Sequence, residues 1–444
     1  MTTSRSRLII RPLPRIQIRW HETDKGRTMR GKQIGIIGAG IAGLHLGLYL
    51  RQHDIDVTIV TDRTAEQYSK ARLLNTAAHF AVTIEREKVL GVDHWANPEF
   101  HYVCHNHSFG GPQRLEFRGD FMRPSRAIDH RIYLPKLMQD FEACNGEIEI
   151  ATIGKQDISR LAQRFDLLVV VAGRSVLAEV FERVPVWSPY DRPQRQLLAA
   201  LFCGIRRTNP VGATLSVSPG HGELIDIPIL TFGGMASALL FENIQGGDLE
   251  ILARLRYDEN PKKFIATILE KLEHHHPHIF NRIDTATFDL CAPTDILQGG
   301  VTPTVRRGTL DLGDGKFAIA AGDIHCTVDP LLAQGANGAS HAAFVLAEEI
   351  AKDVAFDARF CERVDQRRMD RLLAASRWTN MFLQPPSPEL MELVFEMSRN
   401  QSLCDEFTNN FNFPERQWDH LASAERIRAW IEARRNVTPA AAVA

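Results

Sequence analysis

Gln33-Ile34-Gly35-Ile36-Ile37-Gly38-Ala39-Gly40-Ile41-Ala42-Gly43 decides the fold of this chain. A short apolar run ends in glycines spaced Gly-x-Gly-x-x-Gly, and Ile41–Leu50 follows at once, apolar enough for a buried crossover helix. Val57–Val60 then reads as a second strand, which makes the segment a β-α-β unit. Each glycine has its own reason. Gly38 permits the tight turn, Gly40 lets the backbone approach a pyrophosphate, and Gly43 lets helix and strand pack closely. The helix N-terminus, where Ala42 sits, offers free N–H groups and a positive dipole end to phosphates. A dinucleotide is therefore expected at Gly38, Gly40, Ala42 and Gly43. Such folds usually set an acidic residue at the end of the second strand for the ribose hydroxyls. Here that end reads Thr61-Asp62-Arg63. By spacing Thr61 takes the acidic place; Asp62, which follows it, is the candidate, with a solvated strand-end aspartate as an equal alternative.

Outward from this unit, Leu167–Val171 is a wholly apolar strand suited to the middle of a parallel sheet. Between Trp187 and Phe241, short alternating runs (Leu215–Val217, Leu224–Ile229, Ala238–Phe241) broken by Pro and Gly suggest an antiparallel sheet of a second domain. Asn260–His275 and Gly338–Lys352 are helical by pattern, and Phe356–Arg434 is mostly helical with a break at Pro385–Pro388. The 444 residues leave room for two or more packed subdomains. A net charge of -2 excludes a global basic field for nucleic acid, and no apolar run approaches the ~20 residues of a membrane span. Seven scattered cysteines with no C-x-x-C favour a reducing compartment over a disulfide framework, so a cytoplasmic location is expected. Met1–Arg30 is arginine-rich and has no apolar h-region, so it is no secretory signal. It reads as a basic arm, as a transit segment or, most simply, as an extension before a start at Met29, and disorder is expected for residues 1–30.

A second motif stands near the other end: Ala320-Ala321-Gly322-Asp323, then Asp329-Pro330, then Gln334-Gly335-Ala336-Asn337-Gly338. It resembles the G-D…P…G-x-N signature of aromatic-hydroxylase-type flavoprotein monooxygenases. The resemblance implies FAD, with Gly322 and Asp323 at the ribityl chain, Pro330 beside the reacting face of the ring, and Gly335, Ala336 and Asn337 at its pyrimidine end. A helix N-terminus there would stabilise negative charge on a reduced flavin. The implied architecture is α/β: a Rossmann-like FAD-binding domain (31–75, 125–180 and 300–350) interleaved with a mixed-sheet substrate domain (76–124 and 181–299), then a helical C-terminal region (351–444). One-component hydroxylases carry Asp-Gly after the strand equivalent to Leu167–Val171. Here the strand runs into Ala172-Gly173-Arg174-Ser175. The missing aspartate points to flavin that is reduced elsewhere.

The resemblance then narrows. Gly43-Leu-His-Leu-Gly-Leu48, Arg72-Leu-Leu-Asn-Thr-Ala-Ala-His79, Ser218-Pro-Gly-His-Gly-Glu-Leu224, Ile296-Leu-Gln-Gly-Gly-Val301 and Glu406-Phe-Thr-Asn-Asn-Phe-Asn-Phe-Pro-Glu-Arg-Gln-Trp-Asp419 resemble the two-component styrene and indole monooxygenases. The likeness spans Gln33 to about Trp430. It implies epoxidation of the styrene vinyl group by O2 through a flavin C4a-hydroperoxide, using reduced FAD from a transient NADH:FAD reductase partner that alone consumes NADH. A homodimer is compatible with it. The implied site residues are Arg72 and Asn75 near flavin and oxygen, Pro330 at the reacting face, and Ala77, His79, Tyr102, His105 and Ser125 around the substrate. Ala77 departs from the valine of the styrene branch and enlarges the pocket. Asn75 and His79, four apart, also have a bland reading as satisfied polar groups on a helix. Three rivals stay open: an indole oxygenase, a self-sufficient NAD(P)H aromatic hydroxylase, and a non-enzymatic prenyl-protein carrier on the same fold. No metal site is expected, because His274-His275-His276 with His278 ends a charged helix before Pro277 without a partner at ligand spacing. The sequons at Asn106 and Asn436 carry no meaning in a cytoplasmic protein, and no Gly-x-Ser-x-Gly elbow is present.

Overall fold

Two large sheets carry the chain. The computed structural model describes residues 31–111, 114–173, 176–353 and 355–435. The expectations for residues 1–30, for Arg174 and Ser175 and for the sequon at Asn436 lie outside the described residues.

The first sheet has the strand order Thr309–Gly313, Lys316–Ala320, Leu167–Val170, Gln33–Ile37, Asp56–Thr61, Glu147–Ile150. Every pairing is parallel except the hairpin at the Thr309 edge. Burial on both faces explains the unbroken apolar strands. Leu167 and Val169 pack into the core under the crossover helix Ile41–Gln52, while Leu168 and Val170 meet Ile158, Leu161 and Phe165 on the other face. Gly35 is required by one close approach, since a Cβ there would lie 2.3 Å from the Phe165 ring.

The second sheet runs Asp289–Leu290, Gln196–Cys203, Gly234–Asn243, Gly222–Thr231, Gly212–Ser218, His101–Phe109, Leu115–Ala127, Ala78–His79. The strands within 196–243 all pair antiparallel, as their turn-punctuated pattern suggests, with Gln196–Cys203 beside Gly234–Asn243. His101–Phe109 joins Gly212–Ser218 in parallel, and that long-range pairing makes the sheet mixed. Alternation divides its faces. Leu198, Ala200 and Phe202 meet Phe264, Ile268 and Leu272 of the helix Pro261–His275, whereas Ala199 and Leu201 face the opposite side. That side is roofed by the C-terminal helices, from which Trp378, Phe407, Phe411 and Trp430 enter the core. The tail is therefore part of the second sheet's interior. Its break falls where expected, with Pro388 opening a helix whose first turn is capped by Ser387 Oγ accepting from Leu390 N at 3.2 Å.

One pairing was not expected from the sequence. Cys203 and Cys291 form a disulfide, with their Cα atoms 5.4 Å apart. Strand register causes it: Leu290 lies opposite Phe202, which brings together cysteines 88 residues apart in sequence. Spacing along the chain carries no trace of such a pairing. Among the described residues, no helix is long and apolar enough to cross a membrane.

Candidate active site

The glycine turn divides its labour between packing and space. Gly38 has φ +113°, and a Cβ on it would lie 2.9 Å from the Ala172 Cα. A Cβ on Gly43 would lie 2.2 Å from the Gly38 carbonyl oxygen. Among the described residues, a Cβ on Gly40 would meet nothing within 4 Å, so the surface over the turn is an open cradle. Across that cradle stands the second motif. Gly322, with φ +66°, faces the helix start so closely that a Cβ on it would be 3.5 Å from the Ala42 Cβ. Sheet order brings the two motifs together, because Lys316–Ala320 and Gln33–Ile37 both flank Leu167–Val170. Asp323 is half-buried in the same turn, and its carbonyl accepts from Thr327 Oγ1 at 2.6 Å. Asp62 is exposed at the end of its strand and pairs with Arg63 at 3.7 Å; the neighbouring Thr61 is buried. A glycine cradle at a helix N-terminus, closed by a second glycine turn, fits a dinucleotide's phosphates.

Pro330 opens a short turn capped by Asp329, whose Oδ1 accepts from Leu331 N at 3.2 Å. The helix Gln334–Lys352 starts three residues past its Leu331, with Gly335 and Ala336 half-buried on its first turn. Asn337 is otherwise engaged. Its Oδ1 accepts from Phe80 N (3.0 Å) and Thr83 Oγ1 (2.7 Å), and its Nδ2 donates to the carbonyls of Ala78 (2.9 Å) and Ala333 (2.8 Å). The side chain thus ties residues 78–83 to the helix start, leaving only its backbone for a ring contact.

The segment from Arg72 to His79 is not helical, which corrects the bland reading of Asn75 and His79. Ala78–His79 is a short strand paired with Arg126–Ala127, and Asn75 precedes it in a loop. Asn75 Oδ1 accepts from Ala77 N at 3.3 Å, so its Nδ2 faces His130 Nδ1 at 2.7 Å. An amide nitrogen only donates, and His130 Nδ1 must accept; the His130 proton sits on Nε2. Burial lowers His130 to about 3, so it stays neutral. Ala77 is half-buried beside them. Arg72 stays outside, exposed in a cleft of about 370 Å³ with Arg256, Tyr257, Asp258 and Gln298.

Beneath His79 lies a buried network that no sequence signal announced. Glu87 Oε1 accepts from His79 Nδ1 at 2.7 Å and from the Tyr133 hydroxyl at 2.8 Å, while Arg126 pairs with Oε2. The Tyr133 hydroxyl oxygen in turn accepts a hydrogen bond from His45 Nε2 at 2.7 Å, and His45 Nδ1 lies 3.1 Å from Ser340 Oγ. Burial alone would push Glu87 up; His79 and Arg126 outweigh it and bring the carboxyl down to about 2. Glu87 is therefore an ionised acceptor that fixes the His79 ring.

Tyr102 and Ser125 face each other across their strands. His105 stands edge-on to Phe121 and to Phe411, with both ring centroids at 4.6 Å, and Phe80 lies 5.6 Å from Phe411. Tyr102, His105 and Ser125 are almost wholly buried, and burial holds His105 well below its ordinary value and Tyr102 well above. A neutral, aromatic packed cluster results, sharing its core with Leu331 and Leu332 of the proline turn. Phe80 and Phe121 were not anticipated as site residues; Phe411 lies in the Glu406–Asp419 stretch, which was the one available signal. The histidines at the end of the Pro261–His275 helix serve packing. His276 Nδ1 lies 2.7 Å from Ser216 Oγ, and His275 bridges Ser218 and Asp248 at 2.8 and 2.7 Å.

Comparison with known proteins fits this arrangement. A family model described as "Styrene monooxygenase A putative substrate binding domain" matches residues 173–282. Proteins named styrene monooxygenase StyA, from Pseudomonas fluorescens and from a Pseudomonas species, are each 50% identical over 403 residues, covering 90% of this chain and 97% of theirs. Among solved structures, the flavin-dependent brominase Bmp2 superposes with a TM-score of 0.61 at 16% identity, over 90% of this chain and 98% of its own. PqsL of Pseudomonas aeruginosa, described as a probable FAD-dependent monooxygenase, gives 0.57 at 14% identity over 79% and 95%. These distant structures establish the fold alone.

Proposed function

The chain belongs to the styrene monooxygenase family, and on that premise we propose a two-component division of labour in which a separate NADH-dependent reductase supplies reduced FAD. The protein is an oxidoreductase, an FAD-dependent monooxygenase that epoxidises styrene. The observation that carries the reading is the open Gly40 cradle facing Gly322 across Ala42, together with an aromatic cluster that shares its core with the Pro330 turn. We place the protein in the cytoplasm with its reductase.

When bound, FAD supplies the electrons and the oxygen-transfer chemistry. Gly38, Gly40, Ala42, Gly43, Gly322 and Asp323 would hold its phosphates and ribityl chain, Asp62 the adenosine ribose, and Gly335 and Ala336 the ring, with Asn337 contributing backbone. The chain's own task is then positional. Phe80, Tyr102, His105, Phe121 and Phe411 exclude water and hold an aryl ring by its faces and edges. Asn75, oriented by His130, and His79, oriented by Glu87, supply polar edges that do not move, while Ser125 backs Tyr102. Ala77 leaves room beside them for ring substituents. Pro330 keeps the turn rigid at the reacting face. Arg72, in its outer cleft, suits an approach path for the anionic cofactor.

Two measurements test this reading. Reduced FAD from chemical reduction or from any NADH:FAD reductase should support styrene oxide formation, whereas the protein alone should oxidise neither NADH nor NADPH. Appreciable NAD(P)H consumption by the lone protein would favour a self-sufficient hydroxylase instead. The glycine turn gives a second contrast. Gly40→Ala, with open space around it, should leave folding nearly intact yet weaken FAD binding by about tenfold or more, as expected when a charge-assisted hydrogen bond is lost. Gly43→Ala should destabilise the flavin-free protein by about 1–3 kcal/mol through overpacking against Gly38. Equal FAD affinity for Gly40→Ala and the parent, measured by fluorescence titration, would remove the phosphate site from this turn.

A further inference from the structure

Beneath the Pro330 turn lie three carboxylates and one arginine that the positional account leaves unused. Glu242, on Gly234–Asn243, stands directly opposite Glu223 on Gly222–Thr231. Asp329 caps the Pro330 turn, and neither it nor Glu242 has any solvent exposure. Arg195 forks onto Glu223 at 2.8 and 2.9 Å and gives Nη1 to the carbonyls of Gln194 and Leu383. Among the described residues, neither Glu242 oxygen, nor Asp329 Oδ2, receives a donor from any other residue; the two carboxyls neighbour each other. One guanidinium thus neutralises one of three carboxylates. Two ionised carboxylates in contact inside a dry core repel each other, and such a pair keeps a proton.

We propose that Glu242 carries this proton and donates it in a hydrogen bond to Asp329, making Glu242 a positioning residue that ties the Pro330 turn to the second sheet. The functional half of the proposal rests on the reading of Pro330 as the residue at the reacting face. Burial raises Glu242 well above the carboxylate range, with Asp329 and Glu223 reinforcing it and Arg195 opposing, and burial raises Asp329 to about 6. The sign follows. A raised carboxyl contributes stability that is complete below its unfolded pKa, about 4.3 for Glu, and is lost as pH rises through the folded value. Above that value both carboxylates are charged, and the turn is pushed from the sheet.

The test uses Glu242→Gln, which keeps a donor at every pH, and Glu242→Ala, which keeps none. Melting of the flavin-free proteins is followed from about pH 5 to about pH 9, a span that reaches the range of raised buried carboxyls. Glu242→Gln should match the parent at the acid end and melt progressively higher than the parent as pH rises; Glu242→Ala should melt below Glu242→Gln throughout. With supplied reduced FAD, the parent's kcat should fall on the alkaline side, Glu242→Gln should abolish that fall, and Glu242→Ala should lose about tenfold or more in kcat at an unchanged styrene KM. A melting difference between Glu242→Gln and the parent that does not vary with pH would overturn the shared proton. A pH-dependent melting difference beside an unaltered alkaline limb of kcat would overturn the positioning role, whereas absence of styrene epoxidation by the parent with supplied reduced FAD would overturn the functional reading on which it rests.

Discussion

Lowering the pH from about 7.5 to about 5 is expected to unfold this protein, with most of the loss on the acid side of the ordinary histidine pKa of about 6.5. The cause is a set of histidines buried as neutral rings. His45, His130 and His276 are lowered to about 3 and His107 to about 4, each mainly by burial, and burial also holds His105 and His325 well below the ordinary value. All six are almost fully excluded from solvent. A depressed histidine contributes stability that is present above its unfolded pKa and is lost as pH falls toward its folded value, because only the unfolded chain takes up the proton. Below about 6.5 each such ring costs about 1.4 kcal/mol per pH unit. Glu242 and Asp329 oppose this, since the folded protein holds their protons more tightly. Glu87 and Asp248, both lowered to about 2, begin to matter only below about pH 4. The net loss between about pH 6.5 and about pH 5.5 is on the order of 4 kcal/mol, a large share of a typical stability of about 5–15 kcal/mol. Urea unfolding at a series of pH values checks it, and a midpoint that stays constant down to about pH 5 would mean that these rings are solvated or charged in the folded state.

Glu87→Ala is expected to cost about 3–5 kcal/mol, more than any other single substitution considered for this protein, because it takes from a buried cation the one fully buried carboxylate that pairs with it. Arg126 has no exposure, and with Glu87 gone its remaining acceptors are Asp93 Oδ1 at 2.5 Å and the Trp95 carbonyl at 2.8 Å. His79 Nδ1 and the Tyr133 hydroxyl would lose their acceptor in the same step. His79 would then be free to turn, so selectivity among ring-substituted styrenes should relax in whatever fraction still folds. The double variant Glu87→Leu with Arg126→Met should recover much of the stability, since apolar replacement of a buried pair is often neutral or better. It should not recover selectivity, because the His79 ring stays unanchored. Denaturant midpoints and relative rates on substituted styrenes separate the two effects; a Glu87→Ala protein as stable as the parent would show that Arg126 is hydrated.

The β-α-β unit at Gln33–Val60, the helices at Pro261–His275 and Gln334–Lys352 and the broken helical tail were legible because backbone geometry is dictated by neighbours in sequence. A glycine that must avoid the Gly38 carbonyl, or an apolar run that must be covered on both faces, leaves its mark within a few residues. The family likeness rested on equally local strings such as Arg72–His79 and Glu406–Asp419. Tertiary structure alone decided the rest. It set Gly322 against Ala42 through the order of three strands, and it gave Asn337 to Phe80 and Thr83, over 250 residues away. It also placed Glu87 under His79, joined Cys203 to Cys291, and turned Glu242 toward Asp329. The physical reason is common to all of these. A buried charge or amide must be matched by a partner, and strand register chooses that partner from anywhere in the chain. A slip of one residue would turn the same side chain to the other face of the sheet. Sequence determined which backbone shapes and which cofactor chemistry this protein can have; register determined which polar groups hold its site still.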